Sequence, residues 1–285
     1  MSDLSLQKLT AYRSRTFNLL PGKQIASKEE AIQFVDQRGF IFFWPIKDVL
    51  LPSLWVAVAG DRPVADAHDD PGHVTWGWKD SLLGTRKWYY AKVLRMKATI
   101  ISLEIAPYFY ALSENFGSPG EDYLIQYMQG RMTQEAKAVY EVLLNEGPLD
   151  TIALRRAAHL SSRESDSRFN RALVYLQADF KILPVGVSQA GGWRYAFIYD
   201  LVSQHYPNLI EQARHIQEDE ARQKLVKLYL LSVGASRLSD LGKLFRWTSS
   251  QVLDTLSTLI DEGKVARGLE FPNQPGEWIA IPEVL

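Results

Sequence analysis

The chain has 285 residues, 46% of them hydrophobic, with 32 basic and 33 acidic side chains and a net charge of -1. That length suits two or three small domains, the apolar content excludes wholesale disorder, and the charge balance confines any nucleic-acid contact to local patches. Cysteine is absent, which removes disulfides, thiolate metal sites and cysteine nucleophiles together.

The opening, MSDLSLQKLT, carries no apolar signal core, and no later stretch nears the roughly 18 apolar residues of a membrane span, so a soluble cytoplasmic protein with no membrane partner is expected. The segment to about Gly60 reads as mostly helical. Ser27 with Glu30 three residues on has the form of a capping box, Ala31, Ile32, Phe34 and Val35 supply an apolar face, and Gly39 ends the helix. Residues 39–46 (GFIFFWPI) then set Phe42, Phe43 and Trp44 before a proline. By residue type this is either a buried strand or an aromatic platform on which bases stack, a contact worth ~1–3 kcal/mol per base. Residues 61–73 mix proline, glycine and aspartate without period and read as a loop. Its His68, Asp69, Asp70 and His73 match no common zinc spacing, so no metal is expected. Residues 76–110 are dense in aromatics and read as two helices, around WYYAKVLRMK and LEIAPYFYALS, and residues 116–120 (FGSPG) read as a joint.

The second half is more regular. Thr133 caps a helix whose Ala136, Val139, Tyr140, Leu143 and Leu144 share one face and which Gly147 stops. Residues 151–160 give a second helix. Ser161 and Ser162 cap a third, with Phe169, Leu173 and Leu176 inward, and two runs of β-formers flank Ala190-Gly191-Gly192, a hairpin signal. The same order returns: helices over residues 221–233, 237–245 and 251–262, the last capped by Thr248-Ser249-Ser250, then KVARGLEF and EWIAIP around PNQPG. Helix, helix, helix, hairpin is the order of a winged helix-turn-helix. The expected fold is α+β, mostly helical, with tandem winged helix-turn-helix modules. The expected boundaries are an N-terminal helical or winged-helix-like module over 1–118, a winged helix over 119–205, and a C-terminal winged helix over 206–285.

A fold does not give a function, so the residues must argue for nucleic acid themselves. Arg155, Arg156, Arg163, Arg168 and Arg171 against Glu164 and Asp166 leave residues 155–171 at five minus two, or +3. Ser161, Ser162 and Ser167 beside them supply hydroxyls of the kind that position phosphates. In the last module Thr248, Ser249 and Gln251 open the third helix and Arg267 sits in the hairpin, with Arg246 nearby, but Asp254, Asp261 and Glu262 make that helix acidic. Double-stranded DNA is the expected partner. There is no P-loop, dinucleotide fingerprint or nucleophile elbow, and no cofactor is expected.

Two N-terminal tracts, LSLQKLTAYRSRTFNLL and EEAIQFVDQRGFIFFWPIKDVLLPSLWVAVAG, together with the downstream modules, resemble the AlkZ/YcaQ-type bacterial DNA glycosylases. The resemblance is diffuse but covers most of the chain. It implies tandem winged helices and enzymes that remove alkylated bases or unhook interstrand crosslinks. It also implies a catalytic motif after the helix-ending glycine, Gln-apolar-Gln or Gln-apolar-Asp, whose polar groups position water and stabilise the sugar cation. Phe42, Phe43 and Trp44 stand in that motif here, and a phenyl ring accepts no proton while an indole only donates one. The enzymes continue past the last winged helix into a small β-barrel, whereas this sequence reaches Leu285 directly after its last expected hairpin. The expectation is a DNA-binding protein of this group with a degenerate motif and no glycosylase activity. Two alternatives stay open: an active glycosylase with its carboxylate relocated to Asp48 or Glu104, and a winged-helix module for protein docking or dimerisation.

Overall fold

The computed structural model describes residues 5–192, 194–271 and 274–285. The N-terminal part runs α1 (Leu6–Thr16), α2 (Lys28–Arg38), β1 (Phe40–Phe42), α3 (Leu54–Ala59) and α4 (Val74–Leu82). Ser27 caps α2 by accepting the Glu30 N–H at 3.2 Å. The expected box is displaced by one residue, because Glu30 accepts from Ala26 rather than from Ser27. Gly39 ends the helix at φ 80°, a conformation that costs a side-chain-free residue nothing.

The chain continues as β2 (Tyr89–Lys92), β3 (Ala98–Ile101), α5 (Ala106–Ala111) and α6 (Pro119–Met128). The helix expected over WYYAKVLRMK is therefore not formed. Tyr89, Tyr90 and Ala91 are buried in succession, which suits a strand covered on both faces. The chain then reverses over residues 94–97, with Arg95 and Met96 both at positive φ and Lys97 N–H bonded to Leu94 O at 2.9 Å.

Two segments then show the same order of elements. The first holds α7 (Gln134–Glu146), β4 (Leu149–Asp150), α8 (Thr151–Ala157), α9 (Asp166–Ala178), β5 (Ile182–Ser188) and β6 (Ala196–Leu201), its antiparallel sheet ordered β4-β6-β5. After α10 (Val202–His205) and α11 (Leu209–Ala213), the second holds α12 (Glu218–Val233), β7 (Ala235–Arg237), α13 (Leu238–Phe245), α14 (Ser249–Asp261), β8 (Ala266–Phe271) and β9 (Gln274–Ala280), ordered β7-β9-β8. The turn expected over 273–276 is shifted: Gln274 to Gly276 already belong to β9, and Asn273 lies outside the described residues. In the first segment Ala136, Val139, Tyr140 and Leu143 of α7 meet Phe169, Leu173 and Leu176 of α9 in one apolar core.

By internal contacts the chain forms two compact units. One comprises the chain up to Trp76, Ile100–Ser102 and Glu218–Leu285, and the other Gly77–Thr99 with Leu103–Gln217. Within the first unit α1 closes the end of α12, whose last carbonyls have no helical partner. Tyr12 donates to Leu231 O at 2.8 Å, Thr16 to Ser232 O at 2.7 Å, and Arg13 to Val233 O and Ala235 O at 2.9 Å each.

Candidate nucleic-acid interface

Helix α9 buries Phe169, Ala172, Leu173, Leu176 and Gln177. The opposite face is therefore fixed by the 3.6-residue period, and it presents Ser167, Asn170 and Arg171 to solvent. Arg163 stands exposed in the single 3-10 turn that leads into α9, four residues before Ser167. Ser162 caps that turn by accepting the Ser165 N–H. Arg156, on the last turn of α8, is exposed as well.

Not every arginine of the cluster faces outward in the same way. Arg155 is committed internally: it donates to Leu160 O at 2.6 Å and Ser162 O at 3.2 Å, pairs with Asp166, and lies over the Phe169 ring. It pins the connection between α8 and α9, which sets where α9 begins. Arg168 is half exposed and reaches Glu135 at 3.3 Å. The cations turned to solvent on this segment are thus Arg156, Arg163 and Arg171, with Arg168 shared.

The hairpin after α9 adds a cation that carries no mark in the sequence. Arg194 is exposed in the β5–β6 turn at φ 51°. The tract QAGGWRY signals a turn so strongly that the arginine in it has no separate signal. The turn end of this hairpin is anchored by a buried lysine. Lys79 Nζ bonds Tyr195 Oη at 2.9 Å and Asp80 at 2.7 Å, and lies 4.6 Å from the Phe197 ring centre. Burial pulls the Lys79 pKa down and Asp80 opposes that shift. Nothing in the sequence marks Lys79, because an isolated lysine among aromatics reads as a surface residue.

The α14 end of the second segment is built differently. Thr248 and Gln251 satisfy one another in a complete capping box: Gln251 N–H to Thr248 at 3.3 Å, Thr248 N–H to Gln251 at 2.9 Å. Ser249 lies exposed beside them. Arg267 on β8 is held by Glu277 on β9 at 2.5 and 3.3 Å, which draws the Glu277 carboxyl below its usual range. Asp254, Asp261 and Glu262 are exposed on or just after α14. An acidic outer face with its cation paired is a poor match to phosphate, in contrast to α9.

Phe42 and Phe43 are core residues, 0% and 2% exposed. Their backbone is tied in as extended chain, with Phe42 N–H donating to Pro52 O at 2.9 Å and Trp55 N–H to Phe43 O at 3.1 Å. Trp44 is half-buried and its ring sits 5.3 Å from those of Phe43 and of Trp76, the latter 37% exposed. The buried-strand reading thus holds for the two phenylalanines, while in this cluster Trp44 and Trp76 keep part of their rings in solvent. Asp48 is exposed in a left-handed turn at φ 60°, and Glu104 is exposed just before α5. In the 61–73 loop Asp70 accepts from Arg62 at 2.6 Å and from the Gly72 N–H, while His73 bonds Ala65 O. Among the described residues no three His, Asp or Glu side chains gather as metal ligands, and no helix is long and apolar enough to cross a membrane.

These features define a mixed, mainly helical α/β protein with small sheets, a basic helix face and a buried aromatic segment over residues 40–43. Residues 25–246 match the family model described as AlkZ related, and the chain belongs to that AlkZ-related family. Its fold is similar to that of the Streptomyces sahachiroi DNA glycosylase AlkZ, with a TM-score of 0.62 and 13% identity over 99% of this chain and 71% of that one. No curated protein matches the sequence.

Proposed function

We propose that this protein binds double-stranded DNA through winged helix-turn-helix modules and does not release bases from it. In this reading residues 119–205 and 206–285 are tandem winged helices behind an N-terminal module over 1–118, and the 119–205 module makes the principal contact. The observation that carries the reading is the exposure of Ser167 and Arg171 on the solvent side of α9 and of Arg163 on the turn that leads into it, with Arg156 and Arg194 exposed on the same segment. Arginine and serine on a helix opposite its apolar core are the groups that grip phosphate oxygens, and a hairpin cation adds a further contact. Thr248, Ser249, Gln251 and Arg267 play a lesser part, since capping and the Glu277 pair already engage three of them.

The absence of base release rests on chemistry at residues 42–44. Base loss leaves positive charge on the sugar, which needs an acceptor or carboxylate aimed at it and an oriented water. Phe42 and Phe43 are buried hydrocarbon, and the Trp44 ring offers a donor only.

Both halves are tested on one sample. Duplex affinity falls steeply as salt rises. Replacing Arg163, Arg168 and Arg171 together by alanine flattens the slope of log K against log salt by up to roughly 2.7, about 0.9 for each phosphate left unneutralised. Excess protein leaves a methylated-purine duplex and a crosslinked duplex intact. An unchanged slope removes α9 as the contact surface. Base release that disappears in Asp48→Asn or Glu104→Gln moves the catalytic carboxylate there, and failure to bind duplex at low salt leaves the protein-docking reading.

A further inference from the structure

We propose that the reversal between β2 and β3 is a second phosphate contact for a DNA backbone, formed by Lys92, Arg95 and Lys97 and separate from the arginines of α9. The proposal rests on the reading of the protein as a DNA binder and extends it to a surface outside residues 119–205.

The argument starts from charge. Residues 81–103 hold five cations, Arg86, Lys87, Lys92, Arg95 and Lys97, and no aspartate or glutamate, so this stretch carries five minus zero, or +5, against +3 for residues 155–171. All five are exposed. Among the described residues no carboxylate pairs with Arg86, Lys87, Lys92 or Lys97. On the α8–α9 segment, by contrast, Arg155 and Arg168 are both engaged by acids. A solvated protein face ordinarily mixes the two signs; an uncompensated run of one sign is the electrostatic footprint of a partner of the other sign.

Three of these cations are gathered at one tightly bonded turn. Met96 N–H donates to Val93 O at 3.1 Å and Lys97 N–H to Leu94 O at 2.9 Å. The buried Thr99 hydroxyl accepts the Leu94 N–H at 3.1 Å and donates to Lys97 O at 2.8 Å. Burial pulls the Lys92 pKa down, and the nearby Lys97 charge adds to that shift. Two ammonium groups near enough to repel, neither paired with an acid, both gain from an anion placed against them. The turn is also fixed to α9. Lys92 N–H donates to Gln177 Oε1 at 3.2 Å, and Gln177, buried on α9, donates to Leu173 O at 3.0 Å. Strand β2 is thereby held on the helix that carries Arg171. A lipid surface is the poorer fit, because membrane contact needs apolar side chains to insert and the turn offers only Met96, 36% exposed.

The test is duplex binding across a salt series. Lys92→Gln with Lys97→Gln should flatten the slope of log K against log salt by up to roughly 1.8, about 0.9 for each phosphate, and weaken binding about tenfold at low salt. Lys23→Gln with Lys227→Gln, both exposed, equal in charge and outside the turn, should leave the slope as it is. On the parent protein, bound duplex should shield Lys92 and Lys97 from acetic anhydride, a readout that needs no variant. A turn variant with the parent's slope and affinity, while the α9 triple variant still flattens the slope, would overturn this proposal and leave the α9 contact standing; failure of the parent protein to bind duplex would remove both. Equal flattening in the control pair, acetylation of Lys92 and Lys97 as fast with duplex as without, or a turn variant that loses binding to phosphatidylserine vesicles while keeping its duplex affinity would each overturn it as well.

Discussion

Asp200 lies on β6, 6% exposed, with its carboxylate accepting the N–H of the next residue, Leu201, at 2.7 Å. Burial pushes its pKa up from the usual carboxylate value, and that one hydrogen bond offsets the shift only in part. The sign follows directly. A raised folded pKa means the folded state holds the proton more tightly than the unfolded one, so this group's contribution falls as pH climbs from the ordinary carboxylate range to the folded value. Asp200→Asn keeps the oxygen that Leu201 needs and carries no charge. We expect the variant to match the parent protein below about pH 4, where both side chains are neutral, and to melt at a higher temperature at pH 7. Melting curves across that range check it, and a gap that shrinks as pH rises would contradict it. Single residues of this kind were the least legible part of the sequence. Asp200 and Lys79 owe their character to what surrounds them, and no local spacing announces it. Phe42 and Phe43 were legible as a choice between two environments, which only packing decides.

Elements whose causes are local were legible. Helices α7 and α14 begin at a hydroxyl cap, and α7 ends at a left-handed glycine. The strand β2 was not, for the opposite reason: burial on both faces erases any period, and the reversal after it uses Arg95 and Met96, residue types that do not ordinarily signal a turn. The contrast between α9 and α14 yields a prediction at this scale. Thr248→Ala removes one side of the capping box and should cost about 0.5–2 kcal/mol of stability in urea. Because Thr248 is engaged by its own helix, the salt slope of DNA binding should stay as it is. A flattened slope with unchanged stability would instead make Thr248 a phosphate ligand.

The whole chain is threaded so that its first unit draws on both ends. Arg13 of α1 donates two bonds to carbonyls 220 and 222 residues away. Arg13→Met keeps much of the stem but leaves Val233 O and Ala235 O without these donors. A loss of about 1–3 kcal/mol is expected from the carbonyls left unsatisfied, together with faster hydrogen exchange along the end of α12. An unchanged exchange pattern would show that α1 does not close that helix. The layout of two repeated segments was legible in the sequence because each is local; the pairing of α1 with α12 was not, since no short-range signal links residues so far apart. That pairing also imposes a timetable on synthesis. Residues up to Trp76 leave the ribosome with the apolar surface of Leu9, Phe34, Val35 and Phe40 made, while α12 ends only at Val233. At ~5–20 residues per second the intervening 157 or so residues take about 8–30 s. For that interval the N-terminal segment lacks the C-terminal surface it packs against, and a chain released early is expected to be more open to proteolysis than the finished protein.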